Sequence, residues 1–296
     1  MTKLFTGVSA AVTTPFKNGE VDFESMERHL RYLKENDLQA FVINGTTAEA
    51  VTMSEEEKTK TLELAMKVAD GDIPVIAGTG SNDTAASIAA SVAAEELGVD
   101  GLLLITPYYN KTTQAGAIAH FTAIADAVNI PIILYDVPSR TSMTLEAETV
   151  AELSKHPNIV ALKDATGDFA HLSRMLGLVD DDFAFYSGND DIALPFYATG
   201  GHGLISVSAN AIPKIEQRLF ELSQSDTKKA VELNNLRFPF VKAMGSDLNP
   251  LPIKAITNHL GFGNYEFRLP LVGLDEDTVK ILVESYKDLQ KGLTAE

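Results

Sequence analysis

The sequence predicts a (β/α)8 barrel over residues 1–224, followed by a three-helix C-terminal extension over 225–296. Three observations predict it. Apolar, β-branched runs alternate with segments of helical period, and this happens eight times before Asn210, at roughly 25–30 residues per unit. The runs are continuously apolar, as in Gly101-Leu102-Leu103-Leu104-Ile105, which suits parallel strands buried on both faces. No linker-like or low-complexity stretch divides the 296 residues, a length at which such barrels commonly form one body.

The strand-like runs open near Ala10, Ala40, Pro74, Gly101, Pro131, Ile159, Phe183 and Gly203. Between them, helical periodicity is clearest over 24–36, 55–69, 84–97, 115–128 and 147–156. Punctuation supports these limits. Ser54-Glu55-Glu56-Glu57 reads as a capping box, Asn82-Asp83-Thr84 as a second N-cap cluster, and Gly98, Gly200 and Gly201 fall where helices should stop. The eighth helix is expected over 212–224. Three more follow over 227–244, 251–260 and 276–291, which a barrel does not need; they would pack on the barrel or on a neighbouring subunit.

Charged residues make up 22% and hydrophobic residues 45%, an ordinary globular composition. A formal net charge of −17 argues against a nucleic-acid surface, which needs a basic patch. The absence of cysteine excludes disulfides, thiol catalysis and thiolate metal sites. With no long apolar segment at Met1–Gly7 and no run of the ~18–20 apolar residues that cross a bilayer, a soluble cytoplasmic protein is expected.

In a barrel of this kind the chemistry sits at the carboxyl ends of the strands. There Ile159-Val160-Ala161-Leu162 ends in Lys163, and Ile132-Ile133-Leu134 ends in Tyr135, with Arg140 five residues on. A lysine placed so is suited to act as an amine nucleophile on a carbonyl substrate, because burial among apolar walls lowers its pKa. A tyrosine hydroxyl can shuttle the proton that a carbinolamine must lose, and a threonine can pass it on. The turn Gly45-Thr46-Thr47 offers backbone donors to a small carboxylate. Each residue alone also fits a packing, capping or surface role; their shared rim joins them into a site for a keto acid. No strong acid pair and no histidine cluster is expected on that rim. The six histidines are scattered and read as structural or surface residues. Dinucleotide, Walker, nucleophile-elbow and His-Glu-x-x-His motifs are missing, so neither an organic cofactor nor a metal is expected.

Taken together, Gly45-Thr46-Thr47-x-Glu49, Thr106-Pro107-Tyr108-Tyr109-Asn110, Tyr135-x-Val137-Pro138-Ser139-Arg140-Thr141, Lys163-Asp164-Ala165-Thr166-Gly167 and Gly203-x-Ile205-Ser206-Val207 resemble the dihydrodipicolinate synthase family, within the N-acetylneuraminate lyase superfamily of class I aldolases. The resemblance covers essentially the whole chain. It implies condensation of pyruvate with aspartate semialdehyde, an early step of lysine and diaminopimelate synthesis. It further implies a Schiff base on Lys163, and a relay of Tyr135, Thr46 and Tyr109, the last reaching in from a neighbouring subunit. Thr47 would hold the pyruvate carboxylate and Arg140 that of the second substrate. The Ile205 carbonyl would lie near the lysine, and Gly188 near the substrate pocket. A homo-oligomer, at least a dimer, follows from the shared tyrosine, with a tetramer as the larger alternative.

Two alternatives stand beside this reading. A pyruvate-releasing lyase of a sugar-derived keto acid, of N-acetylneuraminate or 2-keto-3-deoxygluconate type, would keep Lys163 but usually lacks an arginine at position 140, where a guanidinium suits a carboxylate. A non-catalytic binding protein would lack Lys163 or Tyr135. The chain departs from the family pattern at Ala48, where glycine is frequent, and at Asp136, where asparagine is common. Lysine-inhibited members use an acidic residue and a histidine to hold lysine; the matching positions are Ala86 and Lys58, beside Asn82 and Tyr108, so weak or absent lysine feedback is expected.

Overall fold

The computed structural model describes residues 3–294. Eight parallel strands close a barrel: β1 (Gly7–Ala11), β2 (Ala40–Ile43), β3 (Val75–Gly78), β4 (Gly101–Ile105), β5 (Ile132–Asp136), β6 (Ile159–Asp164), β7 (Ala184–Ser187) and β8 (Gly203–Ser206). Neighbours in sequence are neighbours in the sheet, and β8 closes on β1 through Gly7↔Gly203 to Ala10↔Ser206. A side chain at Gly203 would fall 2.0 Å from the Gly7 carbonyl oxygen, so glycine is required at that seam.

The barrel helices are α1 (Phe23–Glu35), α2 (Glu55–Ala69), α3 (Thr84–Leu97), α4 (Gln114–Ala125), α5 (Ala147–Leu153), α6 (Phe169–Leu176), α7 (Ala193–Ala198) and α8 (Pro213–Ser225). The Ser54–Glu57 capping box opens α2, Asp83 caps α3, and Gly98 ends α3 at φ +92°. Helices α4 and α5 stop about a turn earlier than periodicity suggests. After α5 the chain goes on as a hydrogen-bonded turn, His156 N–H donating to the Leu153 carbonyl at 3.0 Å, before entering β6. An unforeseen hairpin, Phe16–Lys17 with Glu20–Val21, follows β1.

Alternation along each strand separates two apolar layers. Residues such as Val8, Phe41, Leu104, Leu134 and Leu162 face the helices. Val42, Ile133, Ala161, Tyr186 and Ile205 fill the barrel, whose N-terminal end is plugged by Phe5 stacked on Tyr186 at 4.2 Å.

The extension consists of α9 (Thr227–Met244), α10 (Leu251–His259) and α11 (Glu276–Thr294), and its core around Phe240, Met244, Ile253, Ile256 and Leu282 also takes in Ala211 and Ile212 of the barrel. It packs on the barrel, and its polar ties run to the rim at the carboxyl ends of the strands. Asn249 reaches Thr47, Lys254 reaches Glu49, and Arg237 reaches Asp190. Among the described residues, no helix is long and apolar enough to cross a membrane.

Candidate active site

The site is organised by the pairing of β5 with β6, in which Leu134 faces Leu162, Tyr135 faces Lys163 and Asp136 faces Asp164. Because side chains alternate, Leu134 and Leu162 turn outward to the helices, while Tyr135 and Lys163 point into the barrel. Lys163 Nζ lies 4.3 Å from the centroid of the Tyr135 ring. The lysine is only 5% exposed. Burial lowers its pKa to about 8; the Asp190 charge opposes that shift and Arg140 adds to it. A neutral amine is therefore accessible near physiological pH. Burial pushes the Tyr135 hydroxyl up to about 12, with Arg140 opposing, so this tyrosine stays protonated and can hand a proton on.

Space for the lysine comes from Gly188, just beyond β7. A Cβ there would sit 2.7 Å from Ala165 Cβ and 3.1 Å from Lys163 Cε. Ile205, on β8, is fully buried in the same interior cluster as Tyr135.

Strand β2 runs into a single turn, Thr46–Ala48, in which the Ala48 N–H donates to the Gly45 carbonyl and the Glu49 N–H to the Thr46 carbonyl, each at 3.1 Å. Glu49 leaves the turn in the left-handed region at φ +58°. Thr46 is half-buried and Thr47 buried. Gly78, on β3, lies so close beneath that a Cβ would meet the Asn44 carbonyl oxygen at 2.5 Å. Arg140 is exposed, on the one-turn helix Pro138–Thr141.

Asn249 was missed by the sequence reading, and it links two of the expected substrate-binding residues. Its Nδ2 donates to Thr47 Oγ1 at 2.9 Å, and its backbone carbonyl accepts from Arg140 Nη2 at 3.2 Å. Its Oδ1 is buried without a hydrogen-bond partner. In sequence Asn249 lies 202 residues from Thr47, and Asn249-Pro250 reads only as a turn. Tyr109 stands apart from the rest. It is 93% exposed, with its backbone at φ +65°, and projects away from the chain.

One expectation is corrected. A buried acid pair, Asp136 with Asp164, does lie at this rim, one residue past Tyr135 and Lys163. Alternation turns it toward the helix layer and out of the barrel, where Asp164 faces Phe169, Leu172 and Phe196. Burial, with Asp164 adding, pushes Asp136 up to about 7.

The Dihydrodipicolinate synthetase family matches residues 4–289. A 4-hydroxy-tetrahydrodipicolinate synthase of Macrococcus caseolyticus is 51% identical over 288 residues, covering 97% of each chain. One from Staphylococcus carnosus is 50% identical over 293 residues, covering 99% of each. The solved dihydrodipicolinate synthase of Thermotoga maritima superposes with a TM-score of 0.95 at 39% identity, over 97% of this chain and 99% of that one. With a rim lysine over a tyrosine, and similarity from one end to the other, this chain belongs to the dihydrodipicolinate synthetase family.

Proposed function

We propose that the chain condenses pyruvate with L-aspartate 4-semialdehyde to 4-hydroxy-tetrahydrodipicolinate, in lysine and diaminopimelate biosynthesis, through a Schiff base on Lys163. The observation that carries this reading is the buried Lys163 amine above the Tyr135 ring, in a chain half-identical to enzymes of that name.

Neutral Lys163 attacks the C2 carbonyl of pyruvate. Tyr135 supplies the proton with which the carbinolamine hydroxyl leaves as water, and Thr46 and Tyr109 complete the relay. Loss of a C3 proton turns the iminium into an enamine, and its C3 attacks the aldehyde carbon of the semialdehyde. The semialdehyde's amine then adds to the imine carbon, closes the ring and displaces Lys163. The Thr47 turn receives the pyruvate carboxylate, Arg140 that of the semialdehyde. Gly188 leaves room for the lysine stem, and the Ile205 carbonyl lies by the amine. Tyr109 belongs to the neighbouring subunit's site, so the working form is a homo-oligomer, and the cytoplasm is its compartment.

Turnover of pyruvate with the semialdehyde, followed through a coupled reductase, tests the reading; N-acetylneuraminate and 2-keto-3-deoxygluconate run beside it. Turnover is expected only with the semialdehyde. Lys163→Ala should lose nearly all of it while remaining folded, and near-normal activity would overturn the Schiff base. Arg140→Ala should still form the imine with pyruvate but use the semialdehyde poorly. Pyruvate release from a sugar acid alone would overturn the substrate assignment. Lysine should inhibit weakly, because Lys58, paired with Glu55 at 2.8 Å, keeps an ammonium where a ligand's ammonium would go. Strong inhibition at sub-millimolar lysine would contradict this.

A further inference from the structure

Just past Gly188, where a Cβ would come within 3.1 Å of Lys163 Cε, begins a buried polar network that the proposed reaction does not use. Asp190 follows Gly188 and Asn189 and opens a short 3-10 turn. Its Oδ1 accepts from Ser206 Oγ, and from Ser208 Oγ at 2.9 Å; its Oδ2 accepts from the Val207 N–H at 3.0 Å. Ser208 Oγ also lies 2.8 Å from Glu216 Oε1, which accepts from Arg237 Nη1 at 2.9 Å. Arg237 Nη2 donates to the Asp190 backbone carbonyl at 2.9 Å. Ser206, Ser208, Glu216 and Arg237 are all fully buried. Arg237 comes from α9, so the extension takes part in the network.

A serine hydroxyl has one hydrogen, and Ser208 cannot donate to both carboxylates at once. That conflict is removed when Glu216 keeps a proton and gives it to Ser208, which in turn donates to Asp190; Glu216 Oε2 and Arg237 Nε stay without hydrogen-bond partners. Burial pushes the Glu216 carboxyl up to about 7 and supports that proton, while the Arg237 charge paired with it opposes. The Asp190 carboxylate is fixed by two hydroxyls and a backbone N–H.

Around Lys163 stand Tyr135, Arg140, Asp190 and the cross-strand Tyr186, whose hydroxyl donates to the Phe5 carbonyl at 2.7 Å. Among the described residues, no carboxylate forms an ion pair with Lys163, although the Asp190 charge acts on it. We infer that Ser206, Ser208, Glu216 and Arg237 are positioning residues, a clamp that holds the Asp190 carboxylate away from Lys163. The inference rests on the Schiff-base reading of Lys163. A released Asp190 could close on the amine as an ion pair and keep it an inert ammonium. A clamped Asp190 leaves the amine free to attack, and its charge still favours the iminium that forms next.

The test is the pH dependence of pyruvate capture on Lys163, measured by cyanoborohydride reduction and mass analysis of the Lys163 peptide. Ser208→Ala should move the rising limb to higher pH, so that capture at neutral pH falls about tenfold and recovers in alkali. Asp190→Asn should move the limb the other way. The double variant should follow Asp190→Asn, because the freed carboxylate is gone. Should Ser208→Ala fail to fold, Ser206→Ala removes the other hydroxyl from the same oxygen and must shift the limb in the same direction. Unmoved limbs in variants that fold, even with a lowered melting temperature, would overturn the clamp alone. So would a double variant that keeps the alkaline shift. No capture on Lys163 in the unaltered enzyme would overturn the Schiff-base reading, and the clamp with it.

Discussion

Lys254 Nζ lies 2.5 Å from Glu49 Oε1, with both side chains almost wholly buried, and this pair fastens the C-terminal extension to the turn that carries Thr46 and Thr47. The ammonium also donates to the Glu266 carbonyl at 2.7 Å and sits over the Phe16 and Phe267 rings, each 4.5 Å away. Glu49 Oε2 has no partner, so the carboxylate depends heavily on this lysine. Removing one partner of a buried pair leaves the other charge uncompensated, at a cost of about 3–5 kcal/mol. Lys254→Met should lower stability by that amount in urea unfolding, and adding Glu49→Gln should recover much of it. A loss below about 1 kcal/mol would show that the pair is not what holds the turn.

Gly188→Ala tests the packing around the nucleophile. The added methyl cannot be accommodated at 2.7 Å from Ala165 Cβ, and any shift must be shared with the Lys163 stem. Misplacing a nucleophile by about 1 Å can cost on the order of 100-fold in rate. The variant should lose kcat to about that extent, with the KM for the semialdehyde changed far less, because Arg140 is untouched. Unchanged kcat would mean that the pocket relaxes at no cost.

Much of the fold was legible because period and punctuation agreed. The apolar runs, the Ser54–Glu57 box and Gly98 each specify local structure without help from distant chain. Lys163 and Tyr135 were legible for the same reason, since each ends a run and the strand period turns both inward. Asn249, Lys254 and Arg237 were not. Their roles come from contacts with residues 202, 205 and 47 positions away, and nothing local marks an asparagine before a proline, or a lysine or arginine on a helix, as facing the barrel. The Asp136–Asp164 pair escaped notice because it depends on the register of two strands, although Asp136 itself stood out against the family pattern.

Tyr109, exposed at φ +65°, predicts a complementation experiment. Tyr109→Phe should reduce turnover, and Lys163→Ala should abolish it. In the proposed oligomer, the subunit that keeps Lys163 would receive an intact tyrosine from its Lys163→Ala neighbour. Mixing the two variants under exchange should therefore raise activity above the sum of the separate variants, up to half of a full complement of sites. No gain over the sum of the separate variants, once native mass spectrometry confirms exchange, would place Tyr109 in its own subunit's site or outside catalysis.

Asp136 predicts how stability varies with pH. Its Oδ2 accepts from the Leu145 N–H at 2.9 Å, its Oδ1 is buried without a partner, and Asp164 stands opposite on the next strand, holding the Thr166 N–H and hydroxyl. Burial raises both carboxyls, Asp136 to about 7. His171 and Asp168 are the other charged or titratable groups acting on Asp164. Between the unfolded value of 3.8 and about 7, the folded chain holds the Asp136 proton more tightly than the unfolded chain does. Stability must therefore fall as pH rises through that window and level off above it, a penalty on the order of a few kcal/mol. Asp136→Asn keeps an oxygen for Leu145 and presents an amide donor to Asp164 in place of a second charge. The variant should melt higher than the parent at pH 8, with the gap closing toward pH 4. Parallel melting curves across that range would show that Asp136 ionises in the folded protein as freely as in the unfolded chain.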